Sequence, residues 1–320
     1  MKKAIYMLSI LIYISLLLIS CTKDDPSKTP TEPTSTPIEH FIFEEINDSI
    51  TITKYTGSDN AVVLPASINN LPVTQIGANA FHMNRNILSV VLPDTITGIG
   101  ISAFGNCEFL KTVVLPENLE EIGGCAFENC RKLTDITLPD GLKIIGGQAF
   151  LNCKGLKQVT ISKECAVGIE AFRDSGLENV TFDTGVTHIS DTCFAGTNIK
   201  TLILPETIQT IGWQAFANCQ NLQKVSIAEG LVSIGDLAFY STDVEEIIIP
   251  STVTEVKETT FSNCLSLDKI KFKGNAPDNF LRMLQDQHLG AENVHFVICY
   301  HSDANGFSSP EWNGYPTEIW

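Results

Sequence analysis

Ten cysteines and six histidines are the side chains of this 320-residue chain with the most chemistry to offer, as metal ligands, disulfides or nucleophiles. Five of the cysteines, Cys107, Cys130, Cys153, Cys219 and Cys264, each follow an Asn and sit three residues after a Phe. Ser175, Thr197 and Thr242 take the same place elsewhere. Residues repeated at one position point the same way, with Cβ atoms about 5 Å apart, whereas a disulfide prefers about 3.8 Å. Zinc needs a close ligand pair and a second returning pair. Cys125 and Cys130 form the one tight pair, and no second pair is near in sequence. The five thiols therefore read as a buried column of small apolar groups. The histidines, 40, 82, 188, 288, 295 and 301, are scattered. His295, Cys299 and His301 would share a strand face, but the outer two lie about 20 Å apart at the rise of an extended chain. No Gly-x-Ser-x-Gly, His-Glu-x-x-His or phosphate-cradling Gly loop occurs. Glu120-Glu121 and Glu245-Glu246 are adjacent acids that point to opposite strand faces or lie in turns. The expectation is a protein with no catalytic centre, no metal and no cofactor.

Cys21 stands apart from the rest. Met1-Lys2-Lys3 is a short basic start, and Ala4 to Leu18 is almost unbroken apolar sequence. About 15 residues is short for a membrane span, which needs about 20, and fits the apolar region of a cleaved signal peptide. Leu18-Ile19-Ser20-Cys21 resembles a bacterial lipobox, which implies cleavage after residue 20 and lipidation of the Cys21 sulfur. The Lys23-Asp24-Asp25 that follows is similar to the surface-export signal of Bacteroidetes lipoproteins. The resemblance implies an outer-membrane, cell-surface address, with the membrane met through the N-terminal lipid. Residues 21–38 contain Pro26, Pro30, Pro33 and Pro37 among Thr, Ser and Glu, and read as an extended tether.

The charge balance, 21 Lys and Arg against 37 Asp and Glu, leaves a net charge of −16. Such a chain is repelled by phosphate backbones, and no basic stripe offsets it, so nucleic acid is excluded as a partner.

The body of the chain is periodic. Phe recurs at 81, 104, 127, 150, 172, 194, 216, 239 and 261, at intervals of 22 or 23 residues. Ile-Gly precedes it in most units, and a Leu-x-x-Val-x-Leu segment, often closed by Pro, follows it, as in Leu110–Pro116. The alternation in Leu-x-x-Val-x-Leu predicts a short strand, which the Pro ends because it has no N–H to donate. Ten such strands, ending near residues 64, 92, 115, 138, 161, 182, 204, 227, 249 and 272, are expected. Gly and the Ala-Phe pair are expected to turn the chain back, with the Phe filling the coil. One coil closes no core, whereas stacked coils bury a continuous one.

In these repeats the chain resembles the BspA-type leucine-rich repeat family. The implied fold is a repeat solenoid with a parallel β-sheet on one face over residues 62–272. Residues 39–61 alternate apolar and polar around Asn47-Asp48 and predict an N-terminal β-hairpin cap. Residues 273–320 leave the period. A helix over 278–289 and a strand over 294–300 predict an α+β C-terminal cap, sealed by aromatics of the tail.

On the sheet, the residues flanking the central Val of each strand should face outward. One column then contains Thr112, Asp135, Gln158, Asn179, Thr201, Lys224 and Glu246, and the other Val114, Thr137, Thr160, Thr181, Ile203 and Ser226. Solenoids commonly bind through such an extended face. The family resemblance implies adhesion or protein binding, with host or bacterial surface proteins as partners. Glycan capture for nutrient uptake is the alternative, which the cell-surface address also permits.

Overall fold

The computed structural model describes residues 34–257, 259–277, 296–312 and 315–320. Every 22 or 23 residues the chain completes one three-sided coil, and the coils stack in register. The first side is the expected strand. Its copies run from Ala61–Val63, Ser89–Val91 and Thr112–Val114, through Gln158–Ile161, Asn179–Phe182 and Thr201–Leu204, to Lys224–Ile227, Glu246–Ile249 and Lys269–Phe272. Neighbours pair in parallel and residue for residue, as Gln158 with Asn179 and Ile161 with Phe182. Burial alternates along most of these strands, so Val159 and Ile161 face the core while Gln158 and Thr160 face out; Ser89–Val91, near the first coil, is more deeply covered. The unit ending at Leu138 is the exception: it contributes only an isolated bridge, Asp135 to Thr112. Among the described residues this sheet falls into runs of three, two and seven strands. The interruptions lie between 135–138 and 158–161 and between 179–182 and 201–204.

The second side corrects the sequence reading. The Ile-Gly segments are not merely turns. They form a second parallel ladder, Leu71–Ile76, Gly98–Ile99, Glu121–Ile122, Ile144–Ile145 and Ala166–Val167, which resumes at His188–Ile189, Thr210–Ile211, Ser233–Ile234 and Glu255–Val256. Each Gly N–H donates to the Ile carbonyl one coil back, as Gly123 to Ile99 and Gly146 to Ile122, both at 2.7 Å. A Cβ on Gly146 would collide with the backbone of Gly123 and Gly124, so only glycine lets these coils approach. Ser190 stands where most coils have Gly, and its hydroxyl takes the Val167 carbonyl instead. The ladder is interrupted at that coil.

The third side is an arch over the Phe. Its backbone alternates partners: the N–H groups of Asn79, Phe81 and Met83 reach the next coil's Ile101, Ala103 and Gly105, while those of Ala80, His82 and Asn84 bond three residues back. This path needs a left-handed residue two before and two after nearly every Phe, for example Cys125 (φ 54°) and Asn129 (φ 57°) around Phe127. Asn accepts that conformation readily, and the Asn side chains form a ladder of their own. Asn129 Nδ2 donates to Asn106 Oδ1 at 3.1 Å, and Asn152 Nδ2 to Asn129 Oδ1 at 2.7 Å.

Inside, the nine Phe rings are fully buried and stack with Tyr55 into one column, with centroids 4.8–5.7 Å apart. The first coil is covered by the antiparallel hairpin Phe41–Ile46 and Ser49–Tyr55, turning at Asn47-Asp48 with φ of 50° and 58°. Its packing begins before the expected cap. Thr36, at the end of the Pro-rich stretch, is buried and exchanges hydrogen bonds with Val63. At the far end Val297–Tyr300 and Tyr315–Ile319 extend the first sheet in parallel. Phe307 packs on Phe272, Tyr300 and Trp312 to seal the last coil. The described part of this cap is β structure; the helix expected over 278–289 lies outside the described residues.

Candidate functional site

The strand alternation decides which side chains the solenoid presents. With Val, Leu and Ile of each strand turned inward, the intervening residues stand on a flat outer face at the roughly 4.8 Å strand spacing. The structure places Asp135, Gln158, Asn179, Thr201, Lys224 and Glu246 in one exposed column. Thr137, Thr160, Thr181, Ile203 and Ser226 form the second exposed column. Thr112 and Val114, nearer the first coil, are half-buried. Ile203 is 66% exposed, a large apolar side chain with no cover, and the face carries no aromatic ring in either column. Cys21, Lys23, Asp24 and Asp25 lie outside the described residues.

Charge on this face is arranged in small compensated groups. Glu178 sits between Lys157 at 3.0 Å and Lys200 at 3.6 Å, one residue ahead of the first column. The hydrogen bond and charge of Lys157, then the charge of Lys200, hold the Glu178 carboxyl below its ordinary range. Lys271 Nζ lies 2.8 Å from Glu246 and over the Trp320 ring. Such exposed pairs contribute little to stability, and serve better to set register and encounter with a charged partner.

The cysteines are placed by the arch. All nine described cysteines are free thiols. Cys107, Cys130, Cys153, Cys219 and Cys264 are buried, each donating its Sγ–H to the Phe carbonyl of the preceding coil at 3.0–3.2 Å. In two of the shorter coils Thr197 and Thr242 bond the Phe carbonyl of their own coil instead. Burial pushes the Cys107 and Cys153 thiols up to about 12 and raises Cys130 well above its usual value. Protonated thiols of this kind are poor nucleophiles and poor ligands. Among the described residues no group of three His, Cys, Asp or Glu side chains converges as metal ligands do. At the Pro corner Glu117 and Glu120 line an open cleft, and Lys143 neutralises Glu120 at 2.9 Å.

One feature escaped the sequence reading. Ile101, Ile169 and Trp213, each directly after an Ile-Gly or Val-Gly pair, stand exposed along the edge where the second ladder meets the arch. Their signal was a large apolar residue at a repeat position that other coils fill with Ala, Gly, Asp or Glu.

The profile of the BspA type leucine rich repeat region matches residues 74–197 and 187–280, in six copies. The chain belongs to the BspA-type leucine-rich repeat family. That family assignment covers about two-thirds of the sequence and points to binding rather than catalysis. A leucine-rich repeat protein from Bacteroides ovatus is 26% identical and superimposes with a TM-score of 0.64 over 75% of this chain and 71% of its own. The T. pallidum Leucine Rich Repeat protein is 27% identical, with a TM-score of 0.53 over 73% of this chain and 91% of its own. A leucine rich cell surface protein from Faecalibacterium prausnitzii is 24% identical and covers 77% of this chain and 96% of its own, at a TM-score of 0.36. No curated protein matches this BspA-type chain in sequence.

Proposed function

We propose that this BspA-type protein is a non-catalytic lipoprotein of the outer membrane, displayed at the cell surface, that binds host or bacterial surface proteins through the outer face of its parallel sheet. The observation that carries the reading is the pair of exposed columns running in register from Asp135 to Glu246. A face of identical backbone spacing and varied polar side chains suits an extended protein surface. Glycan binding is the second reading. It would want aromatic platforms, and both columns lack them.

The address rests on Cys21 and on Lys23-Asp24-Asp25. Metabolic labelling with a fatty-acid probe tests the anchor: Cys21→Ala should abolish labelling, and undiminished labelling would refute lipidation at that residue. Deleting Lys23–Asp25 should protect the protein from protease added to intact cells while leaving the lipid in place. Unchanged accessibility would refute the export signal. Binding is tested by presenting the full-length protein to an array of purified matrix proteins and glycans. Capture of a protein supports the first reading and capture of glycans alone the second.

A further inference from the structure

The edge bearing Ile101, Ile169 and Trp213 has a property that the repeat does not require. In the two coils between Ile101 and Ile169 the same position is filled by Gly124 and Gly147. Neither glycine is in the left-handed region, and a Cβ on either would press against the next coil's carbonyl oxygen, at 3.3 and 3.2 Å, a contact that a shift of a few tenths of an ångström relieves. Their neighbours Gly123 and Gly146 differ, since a Cβ there would strike the adjacent backbone. Other coils place Ile, Trp or Asp where Gly124 and Gly147 stand. The stack of coils tolerates a side chain at this position, and these two coils leave it empty. The result is a shallow trough two coils wide, floored by backbone and walled by Ile101 (62% exposed) and Ile169 (57% exposed). Ile144, three residues before Gly147, is also exposed, and Trp213 continues the line two coils beyond Ile169. From Ile101 to Trp213 the line is about 24 Å long at the strand spacing.

The rim of this apolar line is acidic. Glu121 and Asp191 are exposed, and Glu128, Glu170 and Asp236 are half-buried along it. The nearby cations are already engaged: Arg173 lies 3.0 Å from Glu170 and Lys143 lies 2.9 Å from Glu120. A second copy of this chain would bring the same acids against themselves, and an anionic membrane surface would be repelled. Charge complementarity favours the opposite composition.

We propose that this edge, separate from the sheet face, is a docking site for a basic protein segment whose apolar side chains seat in the Gly124–Gly147 trough and against Trp213, with Lys or Arg meeting the acidic rim. Apolar anchors would supply affinity and the rim would speed and orient encounter.

The test uses the full-length protein and a displayed library of random peptides of about 12 residues, long enough when extended to span the line. Enriched peptides should combine apolar residues with Lys or Arg, and bind more weakly as salt is raised. Gly147→Ile, which fills the trough with a side chain that other coils carry there, should leave thermal unfolding within a few degrees of the parent. Both it and Trp213→Ala should weaken binding of an enriched peptide at least about tenfold. Lys224→Glu on the sheet face should leave that binding unchanged, which separates this site from the face proposed above. Enrichment of acidic or uncharged peptides, or none at all, would overturn the proposal. So would binding indifferent to both edge variants. Self-association, or attachment to phosphatidylcholine–phosphatidylglycerol vesicles, lost in Trp213→Ala while peptides fail to bind would assign the edge to those occupants instead.

Discussion

The thiol of Cys130 donates to the carbonyl of Phe104, 3.2 Å away in the preceding coil. The same bond recurs at Cys153 to Phe127, so the Cys column and the Phe column are joined coil by coil. A Cys at this position reaches back a full turn. Thr197 and Thr242 at the same position bond the Phe carbonyl of their own coil and lie 3.2–3.3 Å from the Cys Sγ of the next coil.

Alkaline pH should therefore destabilise the fold. Burial raises the folded-state values of Cys107, Cys153 and Cys219 to about 12, 12 and 11, against about 8.5 in the unfolded chain. The folded state then retains protons that the unfolded state gives up, so this stability is complete below pH 8.5 and lost as pH rises towards the folded values. Each such thiol can contribute a slope of up to about 1.4 kcal/mol per pH unit. Urea unfolding between pH 7 and 10.5, under reducing conditions, should show the midpoint fall steeply above about pH 8.5. A flat profile would mean that the thiols ionise freely in the native protein.

Removing one ring from the Phe stack should open a cavity that the rigid coils cannot close. Phe127 and Phe150 are fully buried, with rings 5.3 Å apart and nearly parallel. Phe127→Ala or Phe150→Ala should cost about 3–5 kcal/mol, while Thr137→Ala on the outer face should stay within about 0.5 kcal/mol. Comparable losses at the two kinds of site, read by denaturant unfolding, would contradict the assigned inward and outward phases.

The arch predicts an inverted ranking at Asn129. Its backbone is left-handed, with φ of 57°, and its side chain links Asn106 to Asn152. Asn129→Ala loses the ladder and keeps a Cβ in a conformation that costs about 1–2 kcal/mol. Asn129→Gly loses the ladder alone and should be the more stable of the two, although glycine is ordinarily the poorer choice. Thermal unfolding of the pair decides it; the reverse order would place Asn129 outside the left-handed region.

In-phase deletion of residues 116–138 should leave a cooperatively folding solenoid, because each coil contacts chiefly its neighbours. It removes Asp135 and Thr137 and shortens the outer face by one coil. Circular dichroism should report an unchanged fold and only a modest drop in melting temperature. Collapse to an unfolded chain would show that the coils are not interchangeable units.

Much of this was legible in the sequence because the repeat averages out local ambiguity. Phe81 to Phe261 set the phase, and the phase alone assigns Thr160 outward and Val159 inward. The second ladder was hidden because two residues such as Glu121-Ile122 are too few to display a strand alternation. The left-handed residues were half-visible: Asn106, Asn129 and Asn152 are natural there, whereas Gln148, Glu170 and Leu237 are forced into it by the arch. The interruptions of the sheet could not be read from any one residue. One falls beside Phe150, where the interval first changes from 23 to 22, and the other lies among coils of equal 22-residue interval, so spacing alone does not fix them. On the candidate face the two columns are exposed from Asp135 to Glu246 while Thr112 and Val114 are half-buried, and the exposed Ile101, Ile169 and Trp213 were hidden behind the stronger Ile-Gly signal.

The most direct test of the account is the affinity of the full-length protein, in detergent micelles, for a protein captured from the matrix array, with and without a rebuilt outer face. Thr160→Arg, Thr181→Arg and Ile203→Arg together alter three neighbouring exposed positions and should leave thermal unfolding nearly unchanged. The account predicts that the triple variant weakens binding by at least about a hundredfold, with each single change mild and EDTA without effect. Unaltered affinity in the folded triple variant, or capture of no protein, would contradict a protein-binding role for this face.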